Sequence, residues 1–125
     1  MLEVVERWYN KIPPIHRDLP LIFYKGKYWT PKEILNEVRK GTRLGEELQR
    51  MIEARKFTDA KTLKEIAKKR LLEIIKGLPE SYGVASFSGK VYTKEDLIKL
   101  VEEEKDFGKI LIERELEIVK EELYA

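Results

Sequence analysis

Apolar positions along this chain change their spacing several times, and each change marks an element. Val5, Trp8, Tyr9 and Ile12 recur at helical spacing and predict an amphipathic helix over residues 2–12. Pro13 and Pro14 stop it, and together with Pro20 they predict a stiff extended arm over residues 12–20. The pattern then becomes strand-like. Leu21, Ile22, Phe23 and Tyr24 read as a strand, Lys25 and Gly26 as a two-residue turn, and residues 27–29 as the returning strand. Thr30 has Pro31 after it and Glu33 three positions on, which is a helix start with a capping box and the favoured proline. That helix runs to about Lys40 and stops at Gly41. Thr42 starts a second helix over residues 43–56, and Leu63, Ile66, Ala67, Leu71, Ile74 and Ile75 predict a third over residues 60–76, ended by Gly77.

After Gly77 the pattern restarts. A strand over residues 84–87, a turn at Ser88 and Gly89, and a return strand over residues 90–92 lead to Thr93 as a cap with Asp96 three positions on. The helix that follows ends near Glu104, and Asp106 begins a last helix that runs to about Leu123. An offset of 63 residues lays this second series on the first: Gly26 on Gly89, Lys27 on Lys90, Thr30 on Thr93, Val38 on Val101, Gly45 on Gly108 and Leu48 on Leu111. These are six identities in the 28 ungapped pairs from 26/89 to 53/116, where usual residue frequencies give about one or two. The matched glycines make turns, the threonines cap, and the aliphatic residues pack. Such a unit cannot bury its apolar face alone, so the two copies are expected to pack on each other with both hairpins in one small sheet.

The expected fold class is therefore α+β and predominantly helical: one domain over residues 1–125 with an internally duplicated β-hairpin–helix–helix unit and a small antiparallel sheet packed by helices. Residues 1–20 are the first helix and proline arm, 21–57 the first repeat, 58–77 a linking helix and 84–123 the second repeat.

Composition narrows the chemistry. No cysteine is present, which excludes disulfides, thiolate metal sites and cysteine nucleophiles. Basic and acidic residues number 25 and 23, while Asn occurs only at positions 10 and 36 and Gln only at 49, a thermophile-like bias. The first ten residues carry Glu3 and no long apolar run, so neither a signal peptide nor a membrane span is expected, and the location expected is cytoplasmic. His16, the only histidine, lies near Asp18 and could serve as a general base, but the surface of a proline arm is the simpler place for it. Lys25-Gly26-Lys27 and Ser88-Gly89-Lys90 are hairpin turns rather than phosphate loops. Glu102, Glu103, Glu104 and Asp106 lack the ligand spacing of a calcium loop. No catalytic, cofactor-binding or metal-ligating constellation emerges, so no enzyme and no cofactor are expected.

Two features point to binding instead. Residues 1–93 hold 19 basic and 12 acidic side chains, a net of +7, whereas residues 94–125 hold 6 and 11, a net of −5. Lys61, Lys64, Lys68, Lys69 and Arg70 make the densest basic run and are the candidate nucleic-acid contacts within the basic helices of residues 39–76. In the last helix, Phe107, Ile110, Leu111 and Ile118 form one apolar stripe and Ile112, Leu116, Val119 and Leu123 a second. The second stripe has mostly polar counterparts in the first repeat: Gln49, Glu53, Lys56 and Ala60. A large apolar face must be covered, either by a second copy of the chain or by the first and third helices of the same chain. The leading expectation is a non-enzymatic interaction module that self-associates as a homo-oligomer through Ile112, Leu116, Val119 and Leu123. Nucleic-acid binding is the alternative.

Overall fold

The structure is a computed structural model in which residues 2–57, 60–79, 84–85 and 89–124 are described. Helix α1 (Leu2–Lys11) is followed by a single 3-10 turn at Pro14–His16, strands β1 (Ile22–Tyr24) and β2 (Lys27–Trp29), and helices α2 (Pro31–Lys40), α3 (Arg43–Ala54) and α4 (Ala60–Lys76). Strands β3 (Val84–Ala85) and β4 (Val91–Tyr92) and helices α5 (Lys94–Glu103) and α6 (Asp106–Tyr124) complete it. The chain is mostly helical with small antiparallel hairpins, an α+β arrangement.

Local chemistry accounts for most of these boundaries. Lys25 and Gly26 both take positive φ, 49° and 73°, the geometry that suits a two-residue hairpin turn. Ile22 then faces Trp29, and Phe23 faces Tyr28. The Thr30 hydroxyl accepts from the Glu33 amide at 3.1 Å, and the Glu33 carboxylate accepts from the Thr30 amide at 2.9 Å. Thr93 and Asp96 repeat the same reciprocal pair at the start of α5. The arm after α1 is not extended throughout: Pro14 opens one tight helical turn that ends at His16. The part of the expected strand at residues 86–87 and the turn position Ser88 lie outside the described residues.

Gly45 and Gly108 hold the two helix pairs together. A Cβ at Gly45 would collide with the Glu37 carbonyl in α2, and one at Gly108 with the Leu100 carbonyl in α5. Each glycine therefore lets two backbones meet at a distance no other residue permits.

The expectation of one shared sheet is corrected. Among the described residues β1 pairs only with β2, and β3 only with β4. Helix α4 packs on β1, on α5 and, most extensively, along α6. The apolar interior falls into two clusters. The larger joins Val5, Trp8 and Ile12 of the N-terminal region to hairpin β1–β2, α2, α3, the first half of α4, and Val119 and Leu123 of α6. The smaller contains Leu71, Ile75, Leu97, Val101 and Ile112. Helices α4 and α6 run through both. Each fully buried aliphatic side chain contributes about 1.5–3 kcal/mol. No described helix is long and apolar enough to cross a membrane.

Candidate functional site

A buried ionic cluster ties three parts of the chain together. Arg70 on α4 is 0% exposed, and Glu115 and Glu122 on α6 are 7% and 6% exposed. The Arg70 guanidinium donates from Nη1 and Nη2 to the two Glu122 oxygens at 3.0 and 2.8 Å, a bidentate pair. Its Nε lies 2.8 Å from Glu115 Oε2, but neither of those two atoms makes a hydrogen bond. His16 completes the group from the proline arm: its Nδ1 sits 2.7 Å from Glu122 Oε2. Trp8 of α1 donates Nε1–H to the Glu122 backbone carbonyl at 3.0 Å. One guanidinium thus faces two carboxylates, with an imidazole at the edge. Taking charges out of water costs several kcal/mol per ion, and only mutual pairing with good hydrogen bonds offsets that cost.

This placement revises His16. Its carboxylate neighbour is Glu122, across 106 residues of sequence, and Asp18 instead pairs with Lys32 at 3.2 Å. A histidine–carboxylate pair can orient an imidazole for proton transfer. Use of it requires a substrate cavity against the ring, and the grooves described below are lined by other residues. Geometrically the cluster is an interlock between the arm, α4 and α6.

The four stripe residues of α6 are not a free face. Ile112 is 2% exposed, Val119 and Leu123 are 0%, and Leu116 is half-buried. Ile112 packs with Leu71 and Ile75 of α4 and with α5. Leu116, Val119 and Leu123 join the larger cluster with α1 and α4. Of the two covers expected for this stripe, the one within the chain is present: α1, α4 and α5 pack on it.

The candidate basic contacts on α4 are dispersed in role. Arg70 is corrected outright, because it is buried and already bonded to Glu122. Lys64 and Lys68 both pair with Glu104, and Lys68 also donates to the Glu102 carbonyl at 2.8 Å. Lys69 lies over the Tyr28 ring, 5.1 Å from its centroid. The side chain of Lys61 lies outside the described set. A groove of about 280 Å³ runs beside Tyr28 and Leu72, with Lys68, Lys69 and Lys76 set against Glu65 and Glu73. Charge there is nearly balanced.

Other exposed cations are spread over several elements. Arg7 and Lys11 on α1, Lys40 at the end of α2, Arg43 and Arg50 on α3, and Lys56 just after it are among those in no ion pair within the described residues, although Arg43 is near enough to Glu47 to help lower its carboxyl. These three helices pack on one another, so the six charges decorate one body. A groove of about 110 Å³ between α1 and the end of α3 is lined by Arg7, Lys11, Arg55 and Glu53 over Val4, Trp8 and Ile52.

Three surface carboxylates are held below their usual range. Burial works against ionisation at Glu33, but the Thr30 amide and Lys27 outweigh it. Hydrogen bonds from Lys25 and Tyr24 lower Glu47, and those from Lys64 and Lys68 lower Glu104.

No protein-family profile, curated protein or solved structure matches the chain.

Two signals in the sequence were available for what its apolar pattern alone did not reveal. Arg70 lies three after Ala67 and four after Ile66, on the apolar stripe of its helix, and Glu115 and Glu122 lie three after Ile112 and Val119. Charges at those positions face inward. Arg7 and Lys11 are four apart and so share one face of α1.

Proposed function

We propose that the chain is a non-enzymatic nucleic-acid-binding protein that holds the phosphodiester backbone with exposed cations of α1–α3. The observation that carries this reading is the set of six exposed cations, Arg7, Lys11, Lys40, Arg43, Arg50 and Lys56, which have no ion-pair partner among the described residues. Free cations on one body release condensed counterions when they meet a phosphate backbone, and this term dominates sequence-independent affinity. Lys40, Arg43, Arg50 and Lys56 belong to the basic helices of residues 39–76 first expected, Arg7 and Lys11 on α1 are added to them, and Lys64 and Lys68 on α4 pair with Glu104.

The test is a fluorescence-anisotropy titration of labelled mixed-sequence DNA and RNA at 50 and 200 mM salt. With about four phosphates neutralised, affinity for duplex DNA drops roughly a hundredfold between the two salts. No binding at the lower salt sinks the reading.

We read the two hairpin–helix–helix units as an internal duplication, supported by the repeated Thr caps and by Gly45 and Gly108, which stand 63 positions apart and serve the same close helix approach.

A further inference from the structure

We infer that the outer face of the second hairpin, at Val91, binds helix α1 of a second copy of this chain, so that copies associate head to tail. The inference rests on reading the two units as repeats and is independent of nucleic-acid binding.

The chain already contains this contact once. Helix α1 packs on α2 and α3, and α4 packs on α5 and α6, so each unit has a leading helix. The offset of 63 residues carries through these two helices. Trp8 falls on Leu71 and Ile12 on Ile75, all four buried, and Tyr9 falls on Leu72, both half-buried. Helix α4 also uses a second side. It packs on β1 of the preceding unit, where Glu65, Lys69 and Leu72 line the groove beside Tyr28 and the Lys69 ammonium lies over the Tyr28 ring. Residues 65, 69 and 72 are four and three apart and so share one helix face. A leading helix thus covers the hairpin of the unit before it.

Both halves of that contact recur with nothing described against them. Val91 stands 63 positions after Tyr28 and takes the same place in its hairpin, paired with Ala85 as Tyr28 is with Phe23. Val91 is 70% exposed, and a groove of about 390 Å³ opens over it and Tyr92 beside Leu100 of α5. On α1 the matching face holds Leu2, Glu6 and Tyr9, which stand 63 positions before Glu65, Lys69 and Leu72. Glu6 pairs with Arg39, and Arg17 lies over the Tyr9 ring, which leaves Leu2 as the open part of this face, 39% exposed. Only five large apolar side chains are exposed among the described residues, and Leu2 and Val91 are two of them. The outer faces of stacked repeats stay soluble when they are polar. Here Leu2 stands where α4 has Glu65, and Val91 where the first hairpin has Tyr28, so bringing the two faces together removes apolar surface from water. Such a join is heterologous, one face on a different face, and it propagates into rings or filaments rather than closing as a two-fold dimer.

The test is sedimentation equilibrium and light scattering on the purified chain without nucleic acid. The mass is expected to rise above that of a single chain as concentration goes from about 1 μM to about 1 mM, the range in which a small interface associates. Leu2→Glu places an acid in the first turn of α1, where it suits the helix dipole, and Val91→Glu changes an exposed position. Both variants therefore keep the fold, which circular dichroism checks. Each alone is expected to weaken association at least about tenfold. Mixed in equal amounts, the two variants are expected to form a dimer and nothing larger, because the intact α1 of one meets the intact hairpin of the other.

A wild-type chain that stays a monomer throughout the range overturns the inference, as does an assembly that Val91→Glu leaves intact. Two monomeric variants whose mixture is also monomeric overturn it as well, because the two faces then do not meet each other. None of these results touches the nucleic-acid reading, whose own titration decides it.

Discussion

The hairpin–helix–helix unit of residues 21–54 and that of residues 84–124 use the same local devices, but only the second adds buried charges to the apolar packing that fastens it to the molecule. Both start their first helix with a reciprocal Thr cap, and both press their second helix on the first through a glycine. They diverge where they meet the rest of the chain. Ile52 is a core residue of the first unit, and its counterpart 63 positions on is the buried Glu115. Gly41 ends α2 with φ 70°, whereas Glu104 takes the same left-handed cap of α5 with φ 55° and pairs with Lys64 and Lys68. The first unit is closed by apolar packing with α1 and one exposed ion pair, Arg39 with Glu6. The second packs on Leu71 and Ile75 of α4 through Leu97, Val101 and Ile112 and is tied to that helix by three carboxylates as well, Glu104, Glu115 and Glu122. Polar fastening of this kind demands one alignment of α4 against α6, because a shifted helix would leave a charge buried and unpaired.

The largest break in that comparison comes from Arg70. Arg70→Ala strands Glu115 and Glu122 in the interior and is expected to cost about 3–5 kcal/mol in urea unfolding. Arg70→Met combined with Glu115→Leu and Glu122→Leu removes the charges together and is expected to recover most of that loss. A triple variant as unstable as the single one would show that the cluster matters for its shape rather than its pairing.

Next come the two glycines, which probe what the units share. Gly45→Ala and Gly108→Ala each push two helices apart and are expected to cost about 1–3 kcal/mol, by similar amounts in each unit. A thermal melt that spares one of them would mean that the close approach is required in only one helix pair.

Smaller again is Trp8→Phe, which removes the bond to the Glu122 carbonyl and leaves that buried acceptor short of a partner, at about 1–2 kcal/mol. Leu116→Glu belongs beside it. Because this side chain packs inside the chain, the variant is expected to lower the melting temperature without changing the mass measured by light scattering. A fall in mass would restore the idea of an interface between copies.

The smallest effect is at Glu104. Its carboxyl is lowered by Lys64 and Lys68, so the stability it contributes is present above the usual carboxylate range and is lost as pH falls through its lowered value. Glu33 and Glu47 act with the same sign. Glu104→Gln is expected to flatten the acid limb of a stability–pH curve slightly and to do nothing at neutral pH in high salt, since exposed pairs are screened.

Much of the fold was legible in particular residues. Thr30, Glu33 and Gly41 bound α2 because caps act within one turn of their own position. Lys25 and Gly26 turn the first hairpin for the same reason, and the apolar spacing of α4 marks its extent. The candidate site was much less legible. His16 lies two residues from Asp18 in sequence, yet its partner is Glu122, and Arg70 belongs by position to a run of surface lysines.

By itself, then, the sequence determined the order of helices and hairpins, their caps, and the apolar stripes that each helix had to cover. Those are short-range matters of backbone sterics, hydrogen-bond partners within a turn, and helical period. Tertiary structure alone decided that the hairpins stay in separate sheets, that α4 and α1 rather than a second copy cover α6, and that Arg70 turns from a surface cation into the centre of a buried ionic cluster. Such outcomes depend on which faces meet across 52 to 114 residues of chain. A charge on an apolar stripe is costly or stabilising only through the side chain that packing brings opposite it.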